Sequence, residues 1–217
     1  MPTPERMELS VQWRRRITAA VRLARGVTLI ELMVALAVLA ILLGLGVPYL
    51  REFFITNRLA AATNELITGL NLARSEAIRR GVQVTMRRKS SSARNWSEGW
   101  EIFVDANSNQ LRDSAESVIH TGPASASRVT VNSSAGLDPL VVFDASGRVY
   151  DATGMLVALP AAIFVICYDG MLQEGGRTRS RTVIINPAGR VRVGLDSNGD
   201  GVPENDAGNN VTSCSPP

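Results

Sequence analysis

Residues 25–50 run RGVTLIELMVALAVLAILLGLGVPYL, and how this stretch is read decides the fold. From Leu32 to Leu50 no side chain is charged, a run of 19 residues, close to the ~20 that cross a bilayer as a helix. One carboxylate, Glu31, stands at the start of that run. An ionisable group at membrane depth costs at least ~2.5–3.5 kcal/mol on insertion scales, so it marks function and needs a partner. The competing reading puts Glu31 at the interface as the first charged residue of the helix. The order along the chain argues against it: a basic segment, Gly26, four apolar or small residues, Glu31, then the apolar run.

The charge distribution supports a membrane reading. The chain has 217 residues, room for one membrane helix and one modest domain. Its pI of 9.3 suggests a basic protein. However, six of the 23 basic and two of the 20 acidic side chains lie in residues 1–26, leaving 17 basic and 18 acidic beyond them. The positive excess is therefore concentrated at the N-terminus, where it holds that end in the cytoplasm and sends the rest across the membrane. An ordinary secretory signal has its apolar core before the cleavage site; here the apolar core follows Gly26 and would be retained.

Gly26, Val27, Thr28, Leu29, Ile30, Glu31, Leu32, Met33 and Val34 together resemble the type III leader junction of type IV pilins and pseudopilins. The resemblance implies that residues 1–26 are a leader cut after Gly26 by a membrane prepilin peptidase. It also implies N-methylation of the new amino terminus at Val27, where many members carry Phe. Glu31 becomes the fifth residue of the mature chain, and in the family this glutamate pairs with the amino terminus of a neighbouring subunit. The physics agrees, because a carboxylate in a low-dielectric bundle needs a cation and an amine supplies one. The implied partners are other pilin or pseudopilin subunits, the prepilin peptidase and the inner membrane.

The helical pattern outlasts the apolar run. Pro48 interrupts it and, with Gly44 and Gly46, weakens it. Leu59, Ala62, Leu66, Leu70, Ala73 and Ala77 then recur at three- and four-residue steps, one apolar face among polar residues, and Gly81 is a natural stop. The expectation is a helix over 27–81, transmembrane to about residue 50, about 80 Å long at 1.5 Å per residue. After Gly81 the period shortens. Apolar or alternating runs occur at 82–86, 100–104, 117–120, 128–131, 140–143, 163–168, 182–185 and 190–193, separated by turn residues such as Asp105-Ala-Asn107 and Pro187-Ala-Gly189. The expected fold class is α+β: a long N-terminal helix, transmembrane in its first half, packed on an antiparallel β-sheet head. That head covers 82–217 on the periplasmic side and ends in an irregular tail from 196.

Three head segments narrow the resemblance: Gly99-Trp-Glu-Ile-Phe-Val-Asp-Ala-Asn107, Phe143-Asp-Ala-Ser-Gly-Arg148 and Ile185-Asn-Pro-Ala-Gly-Arg190. They are similar to the FimT/GspH branch of minor pilins and pseudopilins. The two cysteines, Cys167 and Cys214, are either unrelated thiols or a disulfide; an even count in an exported domain favours the bridge. It would close a loop worth on the order of 4 kcal/mol.

Nucleic acid is a candidate ligand. Gly189-Arg190-Val191-Arg192 matches a G-R-x-R pattern of FimT-like minor pilins in DNA-uptake pili. On a strand, Arg190 and Arg192 would share a face and each hold a phosphate. Arg177, Arg179 and Arg181 alternate in the same way and would extend the patch. The alternative is a charged guard on an exposed strand edge. Calcium is a weaker candidate. Asp196, Asn198 and Asp200, with Gly201 after them, open like an EF-hand loop but lack its closing glutamate, and Asp105, Asn107 and Asn109 form a more degraded copy. A solvated Asn/Asp/Gly turn accounts for both. Catalysis has no support: His120 is the only histidine, and no nucleophile elbow, zinc motif or phosphate loop is present. The expected role is structural, in a type IV pilus or type II secretion filament, with DNA capture as the alternative and no cofactor.

Overall fold

A computed structural model of the chain describes residues 26–157 and 162–216. Apart from Gly26, the expected leader lies outside the described residues. The chain divides into two compact units at Gly46/Val47. The N-terminal unit is the start of one long helix, α1 (Leu29–Arg80), which contains Pro48. Thr28 opens it: the Glu31 amide donates to the Thr28 hydroxyl at 3.3 Å, which satisfies one of the amides that a helix start leaves free. Gly81 closes it with φ +68 and an amide bond to the Ala77 carbonyl at 2.9 Å, a left-handed terminus that glycine adopts without a steric penalty.

In the second unit, α1 buries Ile55, Leu59, Thr63, Leu66, Gly69, Leu70, Ala73 and Ala77, the three- and four-residue spacing of a single face. Two antiparallel sheets receive that face. The first contains β1 (Val84–Arg88), β2 (Trp100–Val104), β3 (Val118–Gly122), β5 (Leu140–Phe143) and β6 (Val149–Tyr150), in the order β3-β2-β1-β5-β6. The second contains β4 (Val129–Ser133), β7 (Ile163–Tyr168), β10 (Ser180–Ile185) and β11 (Val191–Val193), in the order β11-β10-β7-β4. A small hairpin, β8 (Gln173–Glu174) with β9 (Arg177–Thr178), stands apart. The strands form where β-branched and aromatic residues alternate. Val84 and Met86 of β1, Val141 and Phe143 of β5, Phe164 and Ile166 of β7, and Val183 and Ile185 of β10 join the helix face in one core.

Trp100 fixes how closely helix and sheet approach. A Cβ on Gly69 would lie 2.6 Å from Trp100 Cζ2, and one on Gly122 would lie 2.5 Å from its Cδ2. The indole therefore occupies space that two glycines leave empty. On the other face of the second sheet, Ile163, Val165, Cys167 and Ile184 form a smaller cluster with Val211. The C-terminal segment reaches that cluster and is tied there by a disulfide between Cys167 and Cys214, 47 residues apart. The tail is otherwise irregular, with an isolated bridge between Glu204 and Asn210.

Candidate functional site

Four groups of residues carry candidate chemistry, and the first is the N-terminal junction. Gly26, Val27 and Thr28 precede the helix without regular structure, and Val27 is 69% exposed. Glu31 is exposed in the first helical turn, where a carboxylate complements the partial positive charge of the helix start. It has no ion-pair partner among the described residues. The apolar side chains that follow, from Leu32 to Phe54, are about half exposed or more wherever they are large. None of the most apolar window of this helix is buried.

The second group joins α1 to the β8–β9 hairpin. Glu52 accepts two hydrogen bonds from Arg179, both 2.7 Å, and a contact from Arg177 at 3.2 Å. Glu174 also binds Arg179, at 3.0 Å. Fork-to-fork pairing of this kind is short and directional. The Arg179 guanidinium holds the Glu52 carboxyl down at about 2, against an ordinary 4.5, and Glu52 in turn raises the Arg179 pKa. The alternation of Arg177, Arg179 and Arg181 predicts one exposed basic row. That expectation fails at Arg179, whose side chain is only 4% exposed, and at Arg181, which is half-buried with its Nε enclosed. Arg179 lies at the corner between β9 and β10 rather than within a continuous strand, so strand alternation does not apply to it.

The third group is the G-R-x-R segment. Two turns of the same build meet here. Asp144 Oδ1 accepts the amides of Ser146 and Arg148, and Asn186 Oδ1 accepts the amide of Arg190. In each, the following glycine, Gly147 or Gly189, has a positive φ and donates to the carbonyl of the first residue, Asp144 or Asn186, at 2.8 Å. The Val149 amide donates to the Pro187 carbonyl across the two turns, and Arg74 Nε donates to the Gly147 carbonyl at 3.2 Å. A Cβ on Gly189 would clash with that carbonyl and would lie 2.8 Å from Arg74 Nε. The glycine of the motif is thus required by backbone conformation and packing, independently of any ligand. Arg190 is exposed and Arg192 stands out from edge strand β11, but Arg192 is paired with Asp206. Arg148 holds the same place in its turn as Arg190 does, and both are exposed without an ion pair among the described residues.

The acidic turns form the fourth group. Asp196 Oδ1 accepts the amides of Gly199 and Asp200, and its Oδ2 accepts that of Gly201. Asn198 donates its side-chain nitrogen to the Asp200 carboxylate, and its side-chain oxygen accepts the Asp200 amide. Asp105 is fully buried and accepts from Gln83, Thr85 and the amides of Asn109 and Gln110. Both segments are turns closed by their own hydrogen bonds. Among the described residues, no set of three or more His, Cys, Asp or Glu side chains converges as a metal site.

Residue-by-residue reading missed the Glu52–Arg179 pair and the glycine seat of Trp100. Glu52 and Arg179 are 127 residues apart, and nothing local signals their meeting. Residues 62–189 match the family described as type II transport protein GspH, and residues 21–47 match the prokaryotic N-terminal methylation motif. The pilin-like protein PilA1 of Thermus thermophilus is 35% identical over 176 residues, which cover 78% of this chain and 97% of that protein. The crystal structure of the type IV minor pilin FimU of Pseudomonas aeruginosa shares the fold, with a TM-score of 0.50 at 21% identity, over 75% of this chain and 98% of that one.

Proposed function

Because this chain belongs to the GspH family, and so is a minor pilin or pseudopilin, we propose that it is a structural subunit held in the inner membrane, head outward, until it enters a filament. The observation that carries this reading is the first stretch of α1. Its large apolar side chains from Leu29 to Phe54 are 48–76% exposed, a surface that water does not tolerate and that lipid or neighbouring helices would cover. Cleavage after Gly26 frees the Val27 amine for methylation. Glu31 then stands one helical turn from that terminus and takes the amine of the next subunit as its counter-ion.

Mass spectrometry tests the processing step. The mature protein is expected to begin at methylated Val27. Gly26→Glu is expected to leave the leader in place and abolish assembly, because the protease cleft must accept an extended residue without a side chain. An intact leader on the wild-type chain, in cells with active prepilin peptidase, would refute the reading.

Capture of DNA is the second reading, and the twin turns favour a modified form of it. Arg192 is engaged by Asp206, so Arg148 is the better companion for Arg190. Phosphate contacts by two arginines would give weak, salt-dependent duplex binding with little sequence preference. Replacing Arg148 and Arg190 by Ala in the processed chain is expected to make the log–log salt slope shallower by about two units. A wild-type chain that binds no DNA at low salt would end this reading and leave the structural one.

A further inference from the structure

Of the three alternating arginines near the hairpin, one has no counter-charge. Arg177 and Arg179 are bound by Glu52 and Glu174. Arg181 lies opposite Ile166 in the β10–β7 register, two residues before Val183, and so on the core-facing side of the sheet. Its side chain takes part in no hydrogen bond or ion pair among the described residues, and its Nε is buried without a partner. A guanidinium stays charged at any pH a protein meets and has five donors to satisfy. Buried donors are almost always paired. Arg181 also lines a cleft of about 580 Å³ between Glu52, Thr56 and Leu59 of α1 and the segment Gly194–Asp196.

We propose that this cleft is a binding site for a single carboxylate presented by a neighbouring protein subunit, with Arg181 as its anchor. Arg179 shows the chemistry already at work next door, taking a carboxylate in a two-bond fork at 2.7 Å. The carboxylates already at the cleft are committed, Glu52 to Arg179 and Arg177, and Asp196 to the amides of its own turn. A polyanion fits poorly, because Glu52 and Asp196 in the lining would face its further charges. The rim points to a protein rather than a free ion: Leu195, in the lining, is 70% exposed, and a protein neighbour would cover it. That the donor is a neighbouring subunit rests on the filament reading; the anion site itself does not.

Two measurements on the processed full-length chain in detergent micelles and in cells decide the matter. In the first, sodium acetate replaces sodium chloride at constant ionic strength while thermal unfolding is followed. The wild type is expected to show a saturable rise in Tm of about 2–4 °C. Arg181→Met is expected to lose that rise, while Arg112→Met, outside the cleft, keeps it. Should Arg181→Met fail to fold, Arg181→Gln serves with the same expected loss. In the second, the fraction of subunit recovered in sheared filaments, relative to the membrane pool, is expected to fall about fivefold in Arg181→Met, a change of about 1 kcal/mol at 1.4 kcal/mol per tenfold. Equal acetate responses in wild type and variant overturn the site. A lost acetate response with unchanged filament recovery overturns the neighbouring subunit as the source and leaves a free anion. Absence of the wild type from filaments, with its acetate response intact, overturns the filament reading and the neighbour together while the anion site stands.

Discussion

The two stretches of α1 have the same backbone and opposite surroundings. From Leu29 to Phe54 the large apolar residues point all around the helix and stay exposed; from Ile55 to Arg80 they are buried or half-buried along one face, Ile78 excepted. Both are α-helical, with the hydrogen-bond ladder of the first interrupted at Pro48. The difference lies in the arrangement of side chains, all-round apolarity in one and a single apolar stripe in the other. A continuous helix can therefore serve two solvents, and the sequence states which residues meet which.

The largest expected effect comes from breaking the first stretch at Glu31, its only charge before Arg51. Glu31→Ala removes a costly carboxylate, so insertion should be spared or eased, yet the neighbour's ammonium loses its partner. The variant is expected to accumulate in membranes and to be nearly absent from sheared filaments. Equal recovery with the wild type would show that the two stretches differ in solvent only and not in assembly. The second stretch is broken at Gly69. A valine there would drive its Cβ into Trp100, a clash of the overpacking kind that costs about 1–3 kcal/mol, more than the under ~1 kcal/mol of helix propensity gained over glycine. The Tm is expected to fall by about 5 °C, with membrane insertion unchanged. A rise in Tm would mean that the indole moves aside freely.

The smallest effect sharpens the boundary between the stretches, where Glu52 sits. Its folded carboxyl is held at about 2, below the ordinary 4.5, mainly by Arg179. A depressed acid contributes stability that is present above 4.5 and is lost as the pH falls from 4.5 toward 2. Glu52→Gln is therefore expected to have the lower Tm at pH 7, and the gap to the wild type should close across that window. A gap that is constant with pH would mean that the ion pair adds nothing beyond packing.

Most of the helix could be read from the sequence, because a charge-free run and a three–four repeat are strong local signals. The main strands were legible for the same reason; β7, with six apolar or aromatic residues in a row, falls where it was expected. Strands β6, β8 and β9, two residues each, are too short to carry a period. Arg179 was misread because alternation assumes an unbroken strand, and the chain turns a corner there. The cysteine bridge was foreseen from export and parity, but the tail's contact with the outer face of the second sheet was not, since it depends on Val211 meeting residues far away in sequence. Gly189 illustrates a different limit. A short motif names its residues, but only the packing of Gly189 against the turn at Gly147 shows which of them are architectural.

The seat of Trp100 has an optical consequence. The chain has three tryptophans; Trp13 lies in the proposed leader, and Trp96 and Trp100 are 1% and 4% exposed. Once the leader is removed, all indole emission would come from the core. Trp100 lies between Gly69 of the helix and Gly122 of β3, with its ring tilted against that of His120 at a centroid distance of 5.4 Å, so prying the helix from the sheet would wet this chromophore first. A shift of its fluorescence to longer wavelength would report undocking in the intact protein, without an added dye.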